Sequence, residues 1–152
     1  MRLYTFCNYY LSSIQQGIQS AHCLANMFVR YTHPLSACRV MLFDWAESHK
    51  TMVVLNGGNS SDLKQRYEMF ISICKGLEYP YGIFREDVES LQGAITCVGV
   101  IVPEKIYKYN EFEQERRSLE VGPLGMFSLN PITLNTAEKE LATLIASAPL
   151  AR

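Results

Sequence analysis

The stretch Thr51-Met52-Val53-Val54-Leu55 is almost wholly apolar, which is typical of a strand buried on both faces. Such a strand is expected at the centre of a sheet that helices cover on both sides. A second apolar run, from Ala94 to Val102, has the same character and is stopped by Pro103. The two runs together predict the α/β fold class, a sheet covered by helices.

Segments on either side of these strands complete the pattern. Leu3–Cys7 and Pro80–Phe84 are short and rich in β-branched and aromatic side chains, and we predict that both are strands. Helical periodicity predicts three helices, over 13–32, 35–48 and 62–77. The apolar residues of the first helix share one face: Ile14, Ile18, Ala21, Ala25, Phe28 and Val29. The predicted order is β-α-α-β-α-β-β, with a polar loop over 85–93.

The composition excludes several classes of protein. Hydrophobic residues make up 48% of the 152 residues and charged residues 19%, so the chain can bury the core of about one domain and is not intrinsically disordered. The formal net charge is −1, so we expect no binding of a long nucleic acid duplex. No apolar run reaches the roughly 20 residues of a membrane span. Five cysteines without CxxC spacing indicate reduced thiols, and we expect a cytoplasmic protein that binds no membrane.

Common cofactor and metal motifs are absent from the sequence. The chain contains neither GxGxxG nor GxxxxGK[ST], and Asn56–Asp62, between a strand and a helix, lacks the lysine of a phosphate loop. The three histidines, His22, His33 and His49, do not have metal-ligand spacing. We therefore expect no cofactor and no metal, and we interpret Asn56–Asn59 as a turn.

The C-terminal third of the chain has a different organisation. We predict an α/β domain over residues 1–103 and an added helical extension over residues 104–152. Glu111–Arg117 carries charges of both signs at helical spacing, and Thr136 can cap a last helix over 137–148. The extension is expected to pack on the domain or on a second protomer, and in the second case the protein is a homodimer.

Two stretches resemble type 2 peptidyl-tRNA hydrolases. The first, FCNYYLSSIQQGIQSAHC over Phe6–Cys23, resembles the first strand, polar loop and helix of that family. The second, Trp45–Pro103, has the family's order of elements: a helix end with a tryptophan, a basic residue, an apolar strand, a helix ending near Gly-Leu, a strand, an aspartate-bearing loop and a last apolar strand. The resemblance covers about two-thirds of the chain and implies a mixed four-stranded sheet covered by helices.

The resemblance also implies a catalytic site. Carried over residue by residue, the family's catalytic positions fall on Gln19, His22, Asp87 (or Glu86) and Ser90. Its catalytic lysine falls on Gln15, which carries no charge and cannot transfer a proton. Ester hydrolysis develops negative charge on the carbonyl oxygen, and loss of one stabilising group lowers the rate by about 10²–10³. We therefore expect the family's fold with little or no hydrolysis.

Uncharged polar side chains surround the first loop–helix junction: Asn8, Tyr9, Tyr10, Ser12, Ser13, Gln15 and Gln16. These groups are expected either to cap the helix or to form a pocket for a small polar or nucleotide-type ligand. Tyr9 and Tyr10 can stack on a base.

Three functions are compatible with these residues. The first is a non-catalytic binder of such a ligand, comparable to short phage proteins that sequester host signals. The second is a peptidyl-tRNA or aminoacyl-ester hydrolase acting at a tRNA terminus. The third is a protein-interaction module that uses residues 104–152.

Overall fold

A computed structural model describes residues 1–120 and 130–151. The elements in chain order are β1 (Arg2–Asn8), α1 (Ser13–Arg30), α2 (Ala37–Asp44) with a π-helical turn (Trp45–His49), β2 (Met52–Gly58), α3 (Ser60–Leu77), β3 (Tyr81–Arg85), α4 (Val88–Leu91), β4 (Ile95–Val102), α5 (Glu104–Glu120) and α6 (Thr136–Ala146). They form an α/β structure around one mixed four-stranded sheet, in agreement with the predicted fold class.

The strand order of the sheet is β2-β1-β4-β3. β1 runs parallel to β2 and antiparallel to β4, and β4 pairs antiparallel with β3. The prediction that Thr51–Leu55 lies at the centre of the sheet was wrong, because β2 is an edge strand. The C-terminal segment covers that edge: the Asn56 N–H donates to the Pro149 carbonyl at 2.9 Å, and the Ala151 N–H donates to the Val54 carbonyl at 3.0 Å. This cover explains how an edge strand can be so apolar.

Helices cover both faces of the sheet. On the face of Phe6, α3, α5 and α6 pack together, and Phe70 and Leu141 are buried in the same cluster as Phe6. On the opposite face, Leu3 packs with Met27 of α1 and with α2. The apolar residues of α6 therefore pack in the same core as the sheet.

The orientation of α1 differs from what its apolar periodicity suggests. Its buried residues are Gln16, Ser20, Cys23 and Met27, whereas Ile14, Ile18 and Val29 are exposed, with 76%, 48% and 76% of their surfaces accessible. The Ser20 hydroxyl is buried with its hydrogen bonds made, because it donates to the Gln16 carbonyl at 2.8 Å and lies 2.9 Å from Thr5 Oγ1, and Gln16 Nε2 donates to the Leu11 carbonyl at 2.9 Å. Most of the apolar stripe of α1 thus faces away from the sheet, whereas Phe28 packs against the cluster of Leu3 and Met27.

Two paired glycines let α1 lie close to the sheet. Gly82 of β3 is in register with Gly99 of β4 beneath the helix. A Cβ on Gly82 would overlap Met27 Cγ and lie 3.2 Å from the Cys23 carbonyl oxygen, and one on Gly99 would lie 3.3 Å from Cys23 Sγ. Larger side chains on these strands would push α1 away.

Several predicted boundaries are corrected by the structure. The turn predicted at Asn56–Asn59 was wrong: β2 continues to Gly58, where φ is +83°, and Asn59 caps α3. The loop predicted over 85–93 contains the short helix α4. The second predicted helix is divided into α2 and the π-helical turn. The last helix is capped by Asn135 rather than by Thr136.

No helix within residues 1–120 and 130–151 is both long enough and apolar enough to cross a membrane.

Candidate functional site

A crevice lies at the carboxyl ends of the parallel strands β1 and β2. After β1 the chain enters α1 on one face of the sheet, and after β2 it enters α3 on the other face, where Phe70 lies against Phe6. Adjacent parallel strands whose connections leave to opposite faces open a crevice between them, and ligands of α/β proteins commonly bind there. The first loop–helix junction forms one wall of this crevice.

A cavity of about 360 Å³ occupies the crevice, and we call it the tyrosine cavity. It is lined by Tyr9, Gln16, Asn56, Pro149, Leu150 and Ala151. Gln16 Nε2 donates to the Leu11 carbonyl at 2.9 Å, and Asn56 Oδ1 accepts from the Gly58 N–H at 3.0 Å, so both amides are held in place. Gln16 Oε1 and Asn56 Nδ2 have no hydrogen-bond partner among the described residues, which leaves one acceptor and one donor for a ligand.

Tyr9, which lines this cavity, is in ring contact with Tyr10, and the two rings are tilted by 35°. Their ring centroids are 4.0 Å apart, and the Tyr9 N–H donates to the Gly58 carbonyl at 3.0 Å. Asn8 Oδ1 accepts from the Tyr10 N–H at 3.1 Å, which fixes the loop. A tyrosine phenol is neutral at physiological pH, and the Tyr10 hydroxyl, desolvation and the Asp62 carboxylate raise the pKa of Tyr9 further. A neutral ring that is 46% exposed is suited to stacking on an aromatic ligand.

The polar side chains at the start of α1 bond to each other. Gln15 Oε1 accepts from the Ser12 N–H and from Ser12 Oγ, both at 3.0 Å, and Ser12 Oγ accepts from the Gln15 N–H at 3.4 Å. This is a capping box, the arrangement in which a helix satisfies its own first N–H groups. Ser12, Ser13, Gln15 and Tyr10 do not line the tyrosine cavity.

The residues that the resemblance implies for catalysis lie on a different side of α1. Gln19 Nε2 donates to Glu86 Oε1 at 2.6 Å, and His22 Nδ1 lies 3.2 Å from Gln19 Oε1, which calls for a proton on Nδ1. The His22 ring packs on Phe84 with centroids 4.6 Å apart. The structure therefore brings Gln19, His22 and Glu86 together.

Asp87 is the residue that immediately precedes α4, next to Glu86. Ser90 lies within α4, and its side chain is outside the described part of the structure.

Three thiols lie beneath the first turns of α1. Cys7 Sγ is 3.4 Å from the Gln16 carbonyl and 3.7 Å from Cys97 Sγ, with Cys23 beside them. Hydrogen bonds from Cys97, Ser20 and Thr5 outweigh burial and lower the pKa of Cys7, whereas burial raises the pKa of Cys97 well above its ordinary value.

Within the described ranges, no group of three or more His, Cys, Asp and Glu side chains can hold a metal ion.

No protein-family model and no curated protein matches this chain.

A second cavity, which we call the arginine cavity, adjoins the first and was missed by sequence reasoning. It has a volume of about 420 Å³ and is lined by Asn56, Gly57, Gly58, Asp62, Gln65, Arg66, Met69, Leu144, Ser147 and Pro149. It shares Asn56 and Pro149 with the tyrosine cavity. The position of Asn56 at the end of a predicted strand was a signal that could have found it. The sequence around Arg66 did not indicate a site, because Arg66 lies inside a predicted helix, one turn beyond Asp62, and belongs to no binding motif.

Proposed function

We propose that this protein binds a small polar, nucleotide-type ligand in the tyrosine cavity without hydrolysing it. The observation that carries the proposal is the grouping of an exposed aromatic ring with two fixed amides, Gln16 and Asn56, around one cavity. The ring can stack on a base, and the amides can bond to polar groups at its edge. A volume of about 360 Å³ falls within the range of small-molecule sites.

Two features support binding rather than turnover. Gln15, at the position of the family's catalytic lysine, is neutral and is held by Ser12 in the capping box. In addition, the segment Asn8–His22 contains no lysine or arginine that could stabilise an oxyanion or bind the phosphates of a tRNA.

We infer that the scaffold is the fold of type 2 peptidyl-tRNA hydrolases, with residues 104–152 added to it. The element order through β4 and the mixed four-stranded sheet support this assignment. On this scaffold the ligand would lie beside the loop that precedes α1.

Native mass spectrometry of the purified protein tests the proposed function. We expect a retained small-molecule mass or, for protein that is purified free of ligand, a rise in melting temperature with adenosine 5′-monophosphate or another nucleoside monophosphate. Tyr9→Ala should lose the retained mass and the shift, and Tyr9→Phe should keep both, because it preserves the ring. A ligand-free mass together with no shift for any of the four common ribonucleoside monophosphates would exclude the proposed function.

The hydrolase remains a second candidate, and the contacts among Gln19, His22 and Glu86 favour it. A peptidyl-tRNA hydrolysis assay separates the two candidates with the wild type, Asp87→Ala and Gln15→Lys. Wild-type turnover that is lost in Asp87→Ala would establish the hydrolase and overturn binding without turnover. Turnover that appears only in Gln15→Lys would show that the chemistry was lost at that position.

We also propose that the protein forms a homodimer through the outward stripe of α1, defined as Ile14, Ile18, Ala21, Ala25 and Val29. These residues recur every three or four positions, so they lie along one side of the helix, and all are exposed. No charged residue occurs between positions 13 and 29, so two copies can meet without like-charge repulsion. Antiparallel pairing would also place the positive end of each helix dipole beside the negative end of the other.

Light scattering of the protein as it elutes from a size-exclusion column measures its molecular mass in solution and so tests the homodimer. We expect a dimer for the wild type and a monomer for Ile18→Glu, while Val40→Glu, which adds the same charge at an exposed residue of α2, should remain a dimer. The stripe centres on Ala21, so Ala21→Cys should form an intermolecular disulfide under mild oxidation. A wild-type monomer at about 100 μM, above the Kd of most stable assemblies, would refute the pairing.

A further inference from the structure

The guanidinium of Arg66 is a half-buried cation whose protein contacts include the Phe6 ring and the field of Asp62, but no hydrogen bond among the described residues. Its Nη1 atom is fully buried, and neither Nη1 nor the rest of the group forms a hydrogen bond or ion pair with the described residues. The guanidinium carbon lies 5.0 Å from the centre of the Phe6 ring. Burial lowers the pKa of Arg66, with Asp62 acting in the opposite direction, but an arginine remains charged at physiological pH. A desolvated charge is costly unless an opposite charge approaches it.

The arginine cavity gives an anion access to this group. Asn56, Gly57 and Gly58 line it at the end of β2. Ser147 and Pro149 form the wall on the side of the C-terminal segment.

The start of α3 does not itself offer a site. Asn59 Oδ1 already accepts from the N–H groups of Ser61 and Asp62, at 2.8 and 3.1 Å. The Asp62 carboxylate accepts from the Asn59 N–H at 2.9 Å and would repel an anion placed there. Asp62 also lines the arginine cavity, so an anionic group in that cavity would lie away from this carboxylate and beside Arg66, on the following turn of the helix.

We propose that Arg66 binds an anionic group of the phosphate class, carried by the ligand whose uncharged part occupies the tyrosine cavity. The shared residues Asn56 and Pro149 make the two cavities neighbours, so one nucleotide-sized ligand can reach both. An arginine fork matches two phosphate oxygens at once. This inference rests on the proposed function and specifies in addition that the ligand is negatively charged.

Amide spectra of ¹⁵N-labelled protein test the proposal with three probes: inorganic phosphate, adenosine 5′-monophosphate and adenosine, at constant ionic strength. We expect phosphate and the monophosphate to shift the Gly57 and Gly58 amides, and the monophosphate to bind at least tenfold more tightly than adenosine. Arg66→Gln should remove that preference. Lys64→Gln, which removes the same charge from an exposed position of α3, should keep it.

The outcomes separate this inference from the proposed function. Equal affinity for adenosine and its monophosphate, with shifts confined to Tyr9 and Asn56, would refute the anion site and leave ligand binding intact. Phosphate shifts that persist in Arg66→Gln would also refute it. If all three probes leave the spectrum unchanged, the anion site is wrong. The proposed function is then decided by the other three ribonucleoside monophosphates and by whether native mass spectrometry finds a retained small molecule.

Discussion

Ser12 and Gln15 bond to each other in both directions at the start of α1, with Ser12 Oγ and its N–H each 3.0 Å from Gln15 Oε1. The Gln15 side chain, which the resemblance places at a lysine position, is therefore part of the helix cap. This relationship connects the stability of α1 to the absence of the lysine, because a lysine in place of Gln15 would remove the acceptor for the Ser12 N–H.

Removing the cap should destabilise the protein measurably. We expect Ser12→Ala to lower the free energy of unfolding by about 1 kcal/mol, because the Gln15 N–H loses its acceptor. Urea denaturation measures the change. The neighbouring Ser13→Ala is the control, since Ser13 is exposed and forms no side-chain hydrogen bond with the described residues. Equal losses in the two variants would show that the cap contributes nothing specific.

The close approach of α1 to the sheet makes Gly82 intolerant of a side chain. We expect Gly82→Ala to destabilise the protein by about 1–3 kcal/mol, because the new methyl group overlaps Met27 and crowds the Cys23 carbonyl. Gly17→Ala is the matched control: nothing lies within 4 Å of a Cβ there, and the residue is inside α1. It should stabilise the protein by roughly 0.5–1 kcal/mol. A tolerated Gly82→Ala would mean that α1 lies farther from the sheet than described.

Tyr31 joins the end of α1 to β3 through two hydrogen bonds on one hydroxyl. Its hydroxyl donates to the Tyr81 carbonyl and accepts from the Tyr81 N–H, each at 3.0 Å. We expect Tyr31→Phe to cost about 2 kcal/mol, since both backbone groups lose their partner. Thermal and urea unfolding should both report this loss, while Tyr10→Phe, at an exposed ring, should change little. Similar stabilities for the two variants would contradict the role of this hydroxyl.

Glu138 of α6 should make the stability depend on pH. Its side chain is almost fully buried, which favours the neutral acid, but Lys105, the Asn135 N–H and the Tyr79 hydroxyl together lower the pKa of this carboxyl. A carboxyl whose pKa is lower in the folded state stabilises the fold at pH values above its unfolded pKa, near 4.5. That stabilisation is lost as the pH falls through the lower, folded pKa.

The corresponding experiment compares free energies of unfolding between pH 3 and pH 7. The difference between the wild type and Glu138→Gln should be greatest near pH 7 and should shrink as the pH falls from about 4.5, the unfolded pKa, through the lower pKa of the folded carboxyl. Glu140→Gln, at an exposed position of the same helix, serves as the control. A difference that is independent of pH would show that the charge of Glu138 does not stabilise the fold.

Local sequence signals determined the strands and the longer helices up to β4, but neither α4 nor the π-helical turn after α2. The apolar runs of β2 and β4, the periodicity of α3 and the proline after β4 predicted their elements, because burial on two faces and helical spacing leave direct marks on the residues themselves. The loop–helix junction was recognised for the same reason, since its polar residues are adjacent in the chain. Its tyrosine and one glutamine, Tyr9 and Gln16, line the cavity.

Tertiary structure alone decided which strand lies at the edge and which face of α1 is buried. β2 is apolar at an edge because Pro149–Ala151 pairs with it from about 100 residues away, a contact without a local signal. α1 buries Gln16 and Ser20 because the Leu11 carbonyl accepts from the Gln16 amide and Thr5 bonds to the Ser20 hydroxyl, so the hydrophobic pattern pointed to the wrong side of the helix. Arg66 enters the candidate site for the same reason: only the packing of α3 beside β2 and the C-terminal segment brings its charge to the crevice.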